Sequence, residues 1–532
     1  MNESERQVIT MKINLGRLIA AFLSGAVLFG AVSCGNASGN DTETDGTTDP
    51  FSSIEETETT ETAAERTPYV LESDSSPLGK GVGVNPGRVT WAYNKDAFKW
   101  NGSGYWWMTK NFDEDIVRTM LEDSIKSLAG KDTINDALDA LFRNFNLRHN
   151  GEDKPYSAGQ KIHIKANMNV TGNGAASNNN TTGYFPAPVT MRELLSILVD
   201  FGVSPSDISI GDPSRIMPSY VTEMLTSDKL KGVVIVDYNS DPSKDAKADL
   251  DHPVTWSHDL ASDGWKDYNG KPTVNTTYWA KEMVAADYVI NLFNLRGHNL
   301  AGMTGTAKNH FGSIMPGYTT SDGTITFPNE FRTNPPSWAG VHHYVSAVDG
   351  FYLNPPEIWD LPKVPMGSYT VLVDLLSNAD AGGKTFLYLC DAFAATVHQG
   401  STLTKDERWY SAPFGDSGKP GWTNSILASQ DPVAIDSVCL DFLRAEQAAA
   451  ESRGNKKWDQ VIPEGGTVEN YLIEAALADN PPSGTSYQDG YGNLIPSLGV
   501  HEHWNNADEK LYSRNRGESE GIELVQITYD EK

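Results

Sequence analysis

The chain has 532 residues, 39% of them hydrophobic and 10% aromatic, enough for a large core and more than one domain. Its 42 Lys and Arg against 70 Asp and Glu give a formal charge of −28. That balance excludes nucleic acid as a partner, because phosphate binding needs a basic surface.

The N-terminus reads as a targeting segment. Counted from Met11, Lys12 and Arg17 form a charged region and residues 18–32 (LIAAFLSGAVLFGAV) an apolar one. That run is about 15 residues, too short to span a bilayer comfortably. Ala31-Val32-Ser33-Cys34 resembles a bacterial lipobox, with Ala31 where Leu is more usual. The expectation is a signal peptide over 1–33 and a lipid on Cys34. The competing reading is an ordinary cleaved secretory signal beside an unrelated cysteine. Residues 34–79, rich in Thr, Glu, Asp, Ser and Gly, read as a disordered acidic tether. The membrane is then a partner through Cys34, and the folded body is periplasmic or held at the outer membrane or cell surface. Cys390 and Cys439 complete the three cysteines. They form either a disulfide or two buried thiols, and are too few for an iron–sulfur cluster, which takes four thiolates.

Residues 80–532 read as one α/β domain with loop-rich insertions near 239–277 and 318–354. A strand is expected over 82–91, with an Asn85-Pro86-Gly87 turn inside it. The aromatic run from Trp91 to Trp107 is either a loop pinned by its rings or a platform that stacks a ligand. Apolar spacing predicts helices over 113–128, with Asp113 as N-cap, and over 133–145. KIHIKAN (161–167) alternates like a strand and ends in Lys165 and Asn167. A helix over 189–201 precedes a short strand at 207–211, which runs into Asp212 and Arg215. GVVIVD (232–237) reads as a buried strand. A helix over 278–286 feeds an apolar strand at 288–292. Arg296, His298, Lys308, Asn309 and His310 follow it, with glycines at 297, 302, 305 and 312 between them.

Further on, 369–378 reads as a helix and 384–390 as a strand ending at Asp391. A short strand over 424–429 precedes Asp431-Pro432, a strong helix start, and a helix to about 450. A helix over 468–477 leads into a mostly irregular tail. It holds His501-Glu502-His503-Trp504 and closes with a strand over 522–529. The alternation predicts a largely parallel sheet flanked by helices.

Several stretches together resemble the family named domain of unknown function 362. They are 162–169 (IHIKANMN), 211–215 (GDPSR), 296–300 (RGHNL), 307–312 (AKNHFG), Asp391-Ala392-Phe393, 428–436 (ASQDPVAID) and 496–505 (PSLGVHEHWN). The last is typical of an exported branch. The resemblance implies an α/β fold and a shared polar site, and carries no settled reaction. Some relatives have cysteine-rich, ferredoxin-like segments that this chain lacks.

Strand ends of a parallel sheet share one edge, and ligands bind there. On that basis His298, Lys308, His310 and Asp391 are expected to be catalytic. Lys165, Asn167, Asp212, Arg215, Arg296 and Asn309 are expected to bind substrate. The duller reading pairs each cation with a structural carboxylate and makes His310 a core histidine. Asp431 reads as a helix cap and Asp436 as structural. A divalent metal has two candidate places: His501 with His503, which share a strand face but show no third ligand, or His298 with His310 and Asp391. No nucleophile elbow and no Gly-rich phosphate loop is present. Two functions remain: an enzyme using Lys/His acid–base chemistry on a small polar, anionic or glycan-derived substrate, or an anchored binding protein for an anionic or carbohydrate ligand. Oligomeric state is left open.

Overall fold

The computed structural model describes residues 76–168, 183–237, 248–263, 277–298, 301–316, 318–319, 325–326, 341–345, 364–397, 402–415, 418–455 and 468–529. All belong to the compact unit Arg66–Lys532; the second unit, Met1–Glu65, lies outside them. The expected signal peptide, Cys34 and nearly all of the tether are therefore outside the described residues, as is much of both insertions.

Eight strands build the main path of the sheet: β1 (Arg88–Tyr93), β2 (Ile162–Ala166), β3 (Ile208–Asp212), β4 (Val234–Asp237), β5 (Tyr288–His298), β6 (Thr385–Thr396), β7 (Ser425–Ser429) and β8 (Glu523–Thr528). Their order is β8-β1-β7-β6-β5-β2-β3-β4. Every neighbouring pair is parallel except the two made by β7, which runs antiparallel to β6 and β1. The sheet is thus largely parallel, as its alternating pattern implies. Because β7 is reversed, its end and Asp431 sit at the edge opposite to the ends of β2, β3 and β5.

Side chains alternate across the strands, so each strand feeds two cores. Tyr288, Ile290 and Leu292 of β5 pack on one face; Val289, Phe293 and Leu295 pack on the other. The first face is covered by α1 (Glu114–Ala129), α2 (Ile134–Asn150) and α3 (Pro188–Phe201). The second is covered by α4 (Gly305–Asn309), α5 (Val371–Ser377), α6 (Pro432–Glu451) and α7 (Asn470–Ala476). Burying each such aliphatic side chain contributes about 1.5–3 kcal/mol, and helices on both faces explain why β5 and β6 are buried along their whole length.

The helix ends follow their sequence signals. Asp113 accepts from the Ile116 amide and Thr133 from the Asp136 amide, while Gly130 and Gly151 close α1 and α2 in the left-handed conformation. Asp431 caps α6 through Val433 and Ala434. Its other oxygen accepts from Val82 and Val500, so one carboxylate ties both ends of the folded chain to this helix.

Several expectations need correction. The strand at 288–292 continues to His298, and that at 384–390 continues to Thr396. Polar residues looked like strand ends, but Asn294, Arg296 and Asp391 are buried and hydrogen-bonded inside the sheet. The helix expected over 278–286 is a strand, Thr277–Ala280, followed by the short helix Lys281–Ala285. β4 is not fully buried: Val234 is 46% exposed on the last strand of the path. The Asn85-Pro86-Gly87 turn precedes β1 instead of interrupting it. Cys390 and Cys439 are buried free thiols. Among the described residues no helix is long and apolar enough to cross a membrane.

Candidate functional site

β2 alternates strictly. Ile162 and Ile164 enter the core beneath α1 to α3, which turns His163 and Lys165 to the opposite face. There Lys165 Nζ lies 3.0 Å from Asp212 Oδ2 at the end of the neighbouring β3. Asp212 also accepts from the Ser214 amide and hydroxyl and from the Met168 amide. Burial alone raises its carboxyl, but Lys165 and Arg215 outweigh that and hold it below the usual carboxylate range. Burial lowers the Lys165 ammonium, opposed by Asp212.

Asn309 locks this pair to β5. Its Oδ1 accepts from Lys165 Nζ at 3.0 Å, and its Nδ2 donates to Lys165 O and to Asn291 Oδ1. Asn291 in turn donates to Thr306 O, at the start of α4. The Thr306 amide and hydroxyl bond Asp436 of α6, as does the Tyr471 hydroxyl. Gly305 has φ +53° and lies so close to Asp436 that a Cβ would sit 2.5 Å from its Oδ2. Asp436 therefore sets where α4 begins, and α4 carries Lys308 and Asn309. Burial pushes the Asp436 carboxyl up to about 7, against those hydrogen bonds.

Lys308 is only 9% exposed. Its Nζ sits 3.4 Å from the centroid of the Phe311 ring and 3.5 Å from His342 Nε2. Among the described residues it makes no ion pair with a carboxylate. Burial, and then Arg215, hold the amine well below the ordinary lysine range. Arg215 itself is half-buried and donates to Ser214 O. His310 and His163 are fully buried; Ser313 holds Nδ1 of the first and Ser209 Nδ1 of the second. Neither Nε2 has a hydrogen-bond partner among the described residues. Burial and then the Lys165 charge bring each down to about 3, so both rings are neutral.

Asp391, Arg296 and Asn167, three expected site residues, form a different cluster around Tyr184. Asp391 is three residues on from Tyr388, which lies beside Asn291, so it faces the other side of the sheet. It accepts from the Tyr184 and Thr190 hydroxyls and the Ala187 amide, and so fixes the start of α3. Arg296 is almost wholly buried and donates to Tyr184 O, Thr304 Oγ1 and Asn167 Oδ1. Burial brings its guanidinium down to about 10. His298 ends β5 and accepts from the Ala301 amide through Nδ1. Asp391 does not meet Lys308 or His310, so the metal set His298–His310–Asp391 is not assembled. The structure joins Lys165, Asp212, Asn309, Lys308, Arg215 and His310, and adds His163, Asn291 and His342. His163 was legible two residues before Lys165 on an alternating strand, and Asn291 as the polar residue within an apolar run. Tyr184 and His342 gave no comparable signal.

A groove of about 1010 Å³ opens at the opposite, amino-terminal edge of β5 and β6, lined by Arg148, His149, Lys384 and Gln430 among others. Arg148 and His149 are exposed, and Lys384 Nζ is bound to the carbonyls of Met283 and Val284. It lies at the edge away from Lys308, and of its cations Lys384 is already satisfied by carbonyls. The aromatic run mostly packs, with Phe98, Trp100 and Trp106 in the core.

Residues 244–441 match the family model described as domain of unknown function (DUF362). Over that span the chain is similar to the DUF362 family. The matched span includes β5, α4, β6, β7 and the first half of α6, and so supplies Lys308, Asn309, Asp391 and Asp436; Lys165 and Asp212 lie before it. No curated protein matches the chain. Among solved structures, the lactate racemase apoprotein from Thermoanaerobacterium thermosaccharolyticum is similar at 11% identity and a TM-score of 0.28, over 70% of this chain and 63% of that one. The chain thus covers less than two thirds of that protein's length, and a likeness at this level carries no argument about activity.

Proposed function

We propose that this protein is an exported enzyme acting on a small polar, anionic or glycan-derived substrate, with Lys308 as its base. The observation that carries this reading is the environment of Lys308: a buried amine over an aromatic ring, beside His342, with no carboxylate ion partner among the described residues. Such an amine gives up its proton more readily than an ordinary lysine, and the neutral form takes a proton from substrate or attacks a carbonyl. Arg215, half-buried and close enough to lower Lys308, is placed to hold an anionic group. Lys165 is committed to Asp212 and Asn309, and so acts by positioning α4. His310 and His163 contribute neutral imidazoles. The test is a metabolite screen on purified protein, read by mass spectrometry, repeated with Lys308→Ala. Product from the wild type and none from the folded variant is expected; a fully active variant removes Lys308 from the mechanism.

A second reading, a binding protein for a carbohydrate or anion, is favoured by one observation. Trp107 stacks on Tyr220 at 3.6 Å and on Tyr105 at 4.9 Å, all three only part-buried, five residues from Arg215. Rings of this kind stack on sugar faces. Ligand-dependent thermal stabilisation without product would decide for it.

Export and attachment belong to the same proposal. They are supported by Ala31-Val32-Ser33-Cys34 standing between an apolar run and an acidic tether. A Cys34→Ser chain is expected to leave the membrane fraction of a bacterial host.

A further inference from the structure

A second polar cluster lies on elements that the Lys308 site does not use. Helix α6 presents Ser437, Asp441 and Arg444 at successive turns of one face. Against it lies the segment His501-Glu502-His503, where alternation turns both imidazoles toward the helix and Glu502 away from it. Glu502 is occupied elsewhere, accepting from the Ser513 amide and hydroxyl and from the Ile522 amide. Glu469, just before α7, completes the group. One ligand atom each from Glu469, His501 and His503 lies within 4.8 Å of the others.

The outer nitrogens are already fixed. The Ser437 hydroxyl donates its single proton to Val433 O at 2.7 Å, so it accepts from His501 Nδ1–H at 2.8 Å. His501 Nε2 is then the unprotonated nitrogen, and it makes no hydrogen bond among the described residues. His503 Nδ1 donates to Asp441 Oδ1 at 2.6 Å, and Asp441 is itself held by the Trp504 amide and the Tyr512 hydroxyl. A carboxylate behind one imidazole and a hydroxyl behind the other is the arrangement that orients metal-binding histidines and sets their tautomers. His503 Nε2 lies 3.3 Å from Glu469 Oε1, close to the roughly 3.3–3.4 Å donor spacing that follows from tetrahedral bonds of about 2.0–2.1 Å. The Arg444 guanidinium bonds both Glu469 and His503 Nε2, and is itself part-exposed.

We propose that Glu469, His501 and His503 bind one divalent cation of the Zn²⁺ class, and that the Arg444 guanidinium occupies their anionic side when the metal is absent. Two imidazoles and one carboxylate suit Zn²⁺ and neighbouring transition metals, and disfavour Mg²⁺ and Ca²⁺, which take oxygen ligands. Three protein ligands leave a fourth position open. Metal entry breaks the Arg444–His503 contact and leaves Arg444 on the outer oxygen of Glu469. The proposal does not rest on the role of Lys308.

The test uses the untagged full chain, dialysed against chelator and titrated with ZnSO₄ by calorimetry, with thermal melts alongside. One equivalent of Zn²⁺ per chain, a raised Tm and no comparable rise with Mg²⁺ are expected. Glu469→Gln, nearly isosteric, and His501→Asn should each weaken binding strongly. Asp441→Asn should weaken it about 10–100-fold, and Arg444→Met should tighten it. Far-UV circular dichroism confirms that each variant is folded. The proposal is overturned if the wild type binds no more Zn²⁺ than the double variant His501→Asn/His503→Asn. It is equally overturned if Mg²⁺ stabilises as well as Zn²⁺ does, or if folded Glu469→Gln binds Zn²⁺ like the wild type.

Discussion

A Cβ added to Gly312 would stand 2.5 Å from Asp212 Oδ1 and 2.7 Å from Lys165 Nζ. The backbone after α4 thus runs directly against the buried ion pair that joins β2 to β3. Gly312→Ala forces that pair apart or moves the 310–313 turn. Overpacking of this kind costs about 1–3 kcal/mol, and removing one partner from the other costs about 3–5 kcal/mol. Urea unfolding should place Gly312→Ala in the lower range and Lys165→Ala in the higher.

The Lys308 amine offers a pH test that needs no substrate. Its folded pKa lies well below 10.5 because of burial and then Arg215. Between the two pKa values the unfolded chain binds a proton that the folded chain does not, so this residue's contribution to stability rises with pH. Measured from pH 6 to 10, the wild type should gain stability relative to Lys308→Met as the pH rises. Thermal melts across that range check it; a gap that does not change with pH would mean an ordinary surface-like lysine.

His163 predicts an acid limb. Burial, then Lys165, hold its folded pKa near 3, whereas the unfolded value is 6.5. Below pH 6.5 the unfolded state takes up a proton and the native state does not, so stability falls by about 1.4 kcal/mol per pH unit down to the folded value. His310 behaves in the same way. Asp431 and Asp436, raised to about 7 by burial, act in the opposite sense between 7 and 3.8. The difference between wild type and His163→Gln isolates one histidine: the wild type should lose ground to the variant steadily from pH 6.5 to 4.

Asp391 tests structure against catalysis. Truncating it strands the Tyr184 and Thr190 hydroxyls and the Ala187 amide, at a cost of about 3 kcal/mol or more. Asp391→Ala should lower Tm sharply, and the fraction that remains folded should turn over substrate as the wild type does. A folded variant without activity would restore Asp391 to the chemistry.

The match over 244–441 ends inside α6. Much of the fold was nonetheless legible throughout the chain, because local interactions decide it. Asp113 and Asp431 cap helices with their own side chains, as their sequence context implied, whereas α2 runs past the expected end at 145 to Asn150 and stops at Gly151. The alternation in KIHIKAN placed Lys165 and His163 on one face. Asp212, Lys165, Asn309 and Lys308 could be named together because all follow or flank buried strands.

What the sequence determined by itself was therefore the class of fold, the starts of two capped helices, and which short stretches hold the polar chemistry. Only the tertiary structure decided which of those groups meet. Arg296 and Asp391 looked like residues beyond a strand end because buried strands are usually apolar; distant partners such as Tyr184 and Asn167 satisfy them inside the sheet. The parity of β6 then sends Asp391 to the face away from Lys308, and the reversal of β7 carries Asp431 to the other edge. Glu469 became a neighbour of His501 and His503 only when the C-terminal segment folded back over α6. Pairings across tens or hundreds of residues are set by strand order and packing, which no local pattern encodes.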